Sequence, residues 1–109
     1  MQTRRIPKIT HLQFLVLGLL RETGQPGRVI RDALAVHGIR RSAPAFYQLM
    51  ARLERDRLVE GWYEQITAGG QAVTERRYRL RPAGAKLWTE ACDFYTTLIT
   101  QAAPGWSDA

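Results

Sequence analysis

The stretch Ser42-Ala43-Pro44-Ala45-Phe46-Tyr47-Gln48-Leu49-Met50-Ala51-Arg52-Leu53-Glu54 decides how the chain is read. Serine before proline is a helix start: the hydroxyl accepts from a backbone N–H left over in the first turn, and proline has no N–H there to satisfy. Phe46, Leu49, Met50 and Leu53 recur at helical spacing and form one apolar face. Tyr47 flanks that face. Gln48, Arg52 and Arg55 lie on the opposite side, and the helix should stop near Asp56-Arg57.

Two further helices precede it. In Thr10–Arg21, Leu12, Leu15, Val16, Leu19 and Leu20 make an apolar stripe, with Thr10 as N-cap and Thr23-Gly24-Gln25-Pro26-Gly27 as a break. In Arg28–His37, Val29, Ile30, Ala33, Leu34 and Val36 make a shorter stripe, closed by Gly38. Downstream the period changes. Leu58–Ile66 and Val73–Leu80 are rich in strand formers and flank Ala68-Gly69-Gly70-Gln71, the signature of a β-hairpin. Alternation puts Arg76, Tyr78 and Leu80 on one face and Glu75, Arg77 and Arg79 on the other. A last helix starts at Pro82, where Leu87, Ala91, Phe94, Tyr95 and Leu98 recur at helical spacing and Trp88, Cys92 and Ile99 widen the apolar surface.

Three helices followed by a hairpin is the order of a winged helix-turn-helix. The expected fold is mostly α within the α+β class, with a two-stranded β-hairpin wing and a C-terminal helix. In that architecture the third helix enters the major groove and the hairpin touches the DNA backbone or minor groove. The chemistry fits. Ser42, Ala45, Gln48 and Arg52 offer donors and small side chains on the groove side, since glutamine pairs with adenine and arginine with guanine or phosphate. Arg40 and Arg41 precede the helix, and Arg76 and Arg77 lie on the hairpin, all four in reach of phosphates; the Tyr47 hydroxyl is in reach of one as well. Taken singly, Arg52 and Arg55 read more readily as a solvated face and Arg76–Arg79 as a protected sheet edge; the DNA reading gains because Arg40, Arg41, Arg52, Arg76 and Arg77 should converge on one surface in this fold.

Composition agrees with a polyanion partner. The chain has 109 residues, 16 Lys plus Arg, 10 Asp plus Glu and a net charge of +6. Residues 1–81 carry 15 of the basic and 7 of the acidic residues, so the excess sits on the helices and hairpin. Arginine dominates over lysine, which suits phosphate and guanine recognition but also follows from GC-rich coding. A hydrophobic content of 45% is ordinary for one globular domain. The single Cys92 excludes an intrachain disulfide and a multi-cysteine metal site.

Three stretches resemble the PadR family of winged-helix transcriptional regulators. They are Leu12-Gln13-Phe14-Leu15-Val16-Leu17-Gly18-Leu19-Leu20, the Ser42–Glu54 helix with Leu58-Val59, and Arg77-Tyr78-Arg79-Leu80-Arg81-Pro82-Ala83-Gly84. Together they span residues 10–101. The chain departs from the family pattern at Arg28, where a tyrosine is usual, at Arg81, usually threonine, and at Ala45, usually glycine. The resemblance implies a homodimer built through the C-terminal helix, with two wings on a palindromic operator. Leu87, Trp88, Ala91, Phe94, Tyr95 and Leu98 are the expected contact set, and their width supports a partner surface. Some relatives hold flat aromatic compounds with tryptophan, which points to Trp88 as the place for a small aromatic effector.

Other classes fit poorly. His11 and His37 lie apart, with no serine or carboxylate constellation, so neither a catalytic nor a metal site is expected, and no cofactor. Met1-Gln2-Thr3-Arg4-Arg5 is basic, but the apolar run Phe14–Leu20 ends at Arg21-Glu22 without a cleavage site and is too short to span a membrane. The expectation is a cytoplasmic, homodimeric repressor: a DNA-binding unit over 1–81, a dimerisation helix over 82–103 and a flexible tail over 104–109. The alternative is a winged-helix protein-interaction module that does not bind DNA.

Overall fold

The structure, a computed structural model, describes the backbone of residues 5–107 and the side chains of residues 5–101. In chain order it comprises α1 (His11–Leu19), β1 (Gln25–Pro26), α2 (Gly27–Val36), α3 (Ala43–Arg55), β2 (Val59–Ala68), β3 (Gln71–Leu80) and α4 (Pro82–Ser107).

Local chemistry explains the helix ends. Thr10 Oγ1 accepts from the Gln13 N–H, and the Gln13 side chain accepts from the Thr10 N–H, each at 3.0 Å, so two leftover donors are satisfied reciprocally. Ser42 caps α3 by accepting from the Ala45 N–H. α2 and α3 finish alike. The Ile39 N–H donates to the Leu34 carbonyl and Gly38 takes φ +84°, while the Leu58 N–H donates to Leu53 and Arg57 takes φ +60°. Both are Schellman ends, with an arginine holding the left-handed position at α3 that glycine holds at α2.

β2 and β3 pair over their full length around Gly69-Gly70, from Val59 opposite Leu80 to Ala68 opposite Gln71. The wing is not a bare two-stranded hairpin. Gln25 and Pro26, expected as part of a break, form β1 and pair with Tyr78 and Arg77, giving the sheet order β1-β3-β2. Two residues are too short to show a period, and an edge strand tolerates a proline because its missing N–H leaves no ladder bond unmade.

The core sits where the helices meet the root of this sheet. Val16, Leu17 and Leu20 from α1 and its end meet Ile30 and Leu34 from α2, Phe46, Met50 and Leu53 from α3, and Val59 and Tyr78 from the sheet. Each large apolar side chain buried there contributes about 1.5–3 kcal/mol. Burial also pushes the Tyr78 phenol up to about 12, against an opposing pull from the Arg76 guanidinium.

α4 enters through a close contact. The Arg81 N–H donates to the Leu58 carbonyl at 3.0 Å, and a Cβ on Gly84 would collide with that same carbonyl oxygen. Glycine at 84 lets the helix lie directly on the backbone between α3 and β2. The helix then continues to Ser107, past the end expected at 103, so 104–107 belong to it rather than to a loose tail; 108–109 lie outside the described residues. The tail expectation took Pro104 as a breaker, whereas Ala102-Ala103 before it are strong helix formers and the helix runs through. At 26 residues α4 is about 39 Å long. The radius of gyration is 17.2 Å, against about 13 Å for a compact chain of this size. Both α4 and the hairpin reach beyond the core.

Candidate nucleic-acid interface

α3 is fixed by its apolar face: Phe46, Met50 and Leu53 are fully buried. The opposite face therefore has to point outward. Ser42, Gln48 and Arg52 are exposed and Ala45 is half-buried. Gln48 and Arg52 line a groove of about 290 Å³ together with Ala45, Arg41, Thr10 and Gln13. Arg40 and Arg41 are exposed on the α2–α3 turn. Arg31 Nε holds that turn by donating to the Arg41 carbonyl at 3.0 Å. Among the described residues, Arg40, Arg41 and Arg52 form no ion pair. Their charge faces solvent.

The wing treats its arginines differently. Arg76 faces inward, in step with Tyr78, as the alternation implied. Its Nη2 lies 2.6 Å from Glu54 Oε1 of α3 and its guanidinium lies over the Tyr63 ring at 4.6 Å. Arg77 lies 3.0 Å from Glu75 and 3.4 Å from Glu64, and is half-buried. Glu75, with only 9% of its side chain exposed, also takes Arg28 Nε at 3.1 Å. Arg79 pairs with Glu60 directly across the ladder and covers Trp62. The expected free phosphate grips at 76 and 77 are thus compensated by carboxylates. Periodicity assigns a residue to a face, but it does not say which carboxylate another element delivers there.

Tyr47 lies between the two regions. It is 40% exposed, meets Phe46 edge-on at 5.2 Å, and lines the crevices toward Arg28, Thr74 and Arg76 rather than the groove at Gln48. The residue that sequence reading missed is Arg28. Its side chain is 66% exposed, and Glu75 holds it beside the wing. The sequence offered only its departure from the family tyrosine as a signal.

α4 divides the expected dimer set. Leu87 and Trp88 pack against the chain's own core, and Ala91 is 0% exposed, so this chain already covers it and it is no partner contact. A small residue in the apolar stripe reads equally as packing within its own chain, and Ala91 is buried there. Phe94 is half-buried, while Tyr95, Leu98 and Ile99 remain exposed on the projecting half. Trp88 stacks on Phe14 with ring centroids 6.1 Å apart and carries the Arg21 guanidinium at 5.7 Å. It lines an apolar crevice of about 230 Å³ with Phe14, Leu15, Gly18, Leu34 and His37. Among the described residues no three His, Cys, Asp or Glu side chains gather into a metal site, and no helix is long and apolar enough to cross a membrane.

No protein-family model and no curated protein matches the chain. Solved structures do. A PadR family transcriptional regulator from Eggerthella lenta is 30% identical, with a TM-score of 0.62, over 85% of this chain and 79% of that one. The chain belongs to the PadR family. Family membership makes it a transcriptional regulator and not an enzyme. A PadR-like regulator from Bacillus cereus shares the fold at 19% identity, with a TM-score of 0.67, over 85% of this chain and 88% of that one. Bacillus subtilis PadR in complex with operator DNA matches at 18% identity and a TM-score of 0.57, over 78% of this chain and 46% of that one. In this PadR-family chain the winged helix-turn-helix is α1 to β3, and α4 is the C-terminal helix.

Proposed function

We propose that this chain is a homodimeric repressor that binds a palindromic double-stranded operator in the cytoplasm. Residues 1–81 form the reading unit and α4 the dimerisation helix. The observation that carries the reading is the exposed face of α3, where Ser42, Gln48 and Arg52 stand beside Arg40 and Arg41 and, among the described residues, no carboxylate pairs any of the three arginines. In the major groove, Gln48 and Arg52 read base edges and Ala45 permits close approach. Arg40 and Arg41 hold phosphates, while Arg28 stays tied to Glu75 beside the wing. Arg77, paired with Glu75 and Glu64, and Tyr47, turned toward Arg76, are secondary to that face. The operator complex of the Bacillus subtilis relative is consistent with this use of the fold.

Dimerisation rests on Tyr95, Leu98 and Ile99, an exposed apolar run on a helix that outreaches its own core. The crevice beside Trp88 takes a small aromatic effector, since a planar ring there would extend the Phe14–Trp88 stack.

The test is fluorescence anisotropy at two salt concentrations. One duplex spans the region upstream of the chain's own gene; the other is a scrambled duplex of equal length. Tighter, salt-weakened binding to the native duplex is the expected result. Absence of binding at low salt would turn the reading to a protein-interaction module. Sedimentation of the free protein at twice the chain mass checks the dimer.

A further inference from the structure

We propose that the Glu54–Arg76 ion pair is a latch that sets the angle of the wing against α3, and that Gly61 is the opening through which it closes. The role in binding rests on the DNA reading above; the latch itself does not.

Three elements build it. Glu54 comes from the last turn of α3, Gly61 from β2 and Arg76 from β3. Gly61 is the cross-strand partner of Tyr78, and Tyr63 that of Arg76, so all four share the inward face of the hairpin. Glu54 reaches into the gap that a side chain at 61 would fill. A Cβ on Gly61 would collide with Glu54 Oε1 and stand 2.8 Å from Arg76 Nη2. The pair itself is short, 2.6 Å, and both side chains are only about a quarter exposed. Tyr63 and Tyr78 flank the guanidinium at 4.6 and 5.6 Å. A charge-assisted bond walled by aromatic rings is directional and poorly screened. It is suited to holding an angle and badly placed to reach a phosphate.

The leverage is geometric. From Tyr63 to the turn at Ala68 the strand runs on for about 17 Å. A 10° swing at the latch would then carry the tip through about 3 Å, enough to move it off a phosphate. Arg28 and Glu75 tie the opposite face, so the wing is held from both sides.

Glu54→Gln separates positioning from plain electrostatics, because the two predict opposite signs. Removing a negative charge beside DNA should tighten binding if Glu54 is only a repelling charge. As a latch, its loss should weaken binding about tenfold. Gly61→Ala crowds the latch without changing any charge, since its Cβ would displace the ends of the Glu54 and Arg76 side chains, and alanine suits a strand better than glycine does. It should give the same loss, with the double variant no worse than either single one. Arg76→Gln should weaken binding with the salt slope unchanged.

Hydrogen exchange on the free full-length protein supplies the readout that needs no DNA. In Glu54→Gln and Gly61→Ala, amides of residues 62–76 should exchange about tenfold faster while α1 and α2 stay as in the parent. Unchanged exchange in both variants sinks the latch. So does tighter or equal binding by Glu54→Gln, or a salt slope that falls by about one in Arg76→Gln, which would make Arg76 a phosphate contact. If the parent protein binds no duplex, the DNA reading fails and the exchange result still decides the latch.

Discussion

α3 and the wing both carry arginines, but they use them in opposite ways. Arg52, with Arg40 and Arg41 just before the helix, has no acidic partner among the described residues. Arg76, Arg77 and Arg79 each have at least one. The helix needs no help to hold its shape, because its buried face and its caps do that, and its outer face is left to present charge. A hairpin ten residues long on each strand has no such support beyond its root. Its arginines are drawn into cross-strand and cross-element pairs that stiffen it. The wing strands, residues 59–80, hold three arginines against Glu60, Glu64 and Glu75, whereas residues 40–57 hold five against Glu54 and Asp56; pairing sharpens the order that the charge count already gives.

The largest expected effect tests whether the helix is the anchored member. Phe46→Ala removes a fully buried ring and should cost about 3–5 kcal/mol of stability by denaturant titration, whereas Val73→Ala near the wing tip should cost less than about 0.5 kcal/mol. Similar losses would erase the contrast. Next, Arg52→Ala should lose about 1–3 kcal/mol of binding to the native duplex and less to a scrambled one. Equal losses on both would make Arg52 a phosphate contact.

The junction between the two regions has a pH signature. Tyr78 is raised to about 12 by burial, above the ordinary value of about 10. The folded state therefore holds the phenol proton more tightly than the unfolded chain does. The stability this contributes is complete below about pH 10 and is lost as pH rises toward 12. Urea midpoints at pH 8, 10 and 11.5 should fall only over the upper interval, and Tyr78→Phe should flatten that part of the fall. The smallest effect belongs to Arg79→Ala. Its pair with Glu60 is well exposed, so stability should change by about 0.5 kcal/mol or less. A larger loss would mean that outer-face pairs stiffen the wing as much as the inner latch does.

Much of this architecture is legible in the chain. The Ser42 cap, the Phe46-Met50-Leu53 face and the Gly69-Gly70 turn each act within a dozen residues, and each is where the pattern puts it. The inward turn of Arg76 was legible too, since it alternates in step with Tyr78 and Leu80. Its partner was not, because Glu54 belongs to another element. β1 escaped because two residues carry no period, and the helical course of 104–107 because a proline reads as a stop. Ala91 shows the limit of an apolar stripe, which marks a face for burial without saying whether this chain or another copy covers it.

The sequence by itself determined the four helices and the hairpin, their faces and most of their ends, but not β1 or the last turn of α4. Helical and strand periods and capping chemistry are set by near neighbours, so they survive without knowledge of the fold. Only the tertiary structure decided which arginines remain free. That depends on contacts such as Glu54 with Arg76 and Arg28 with Glu75, which lie 22 and 47 residues apart. Whether a guanidinium meets a carboxylate or open solvent is a matter of distance in space, and folding sets that distance.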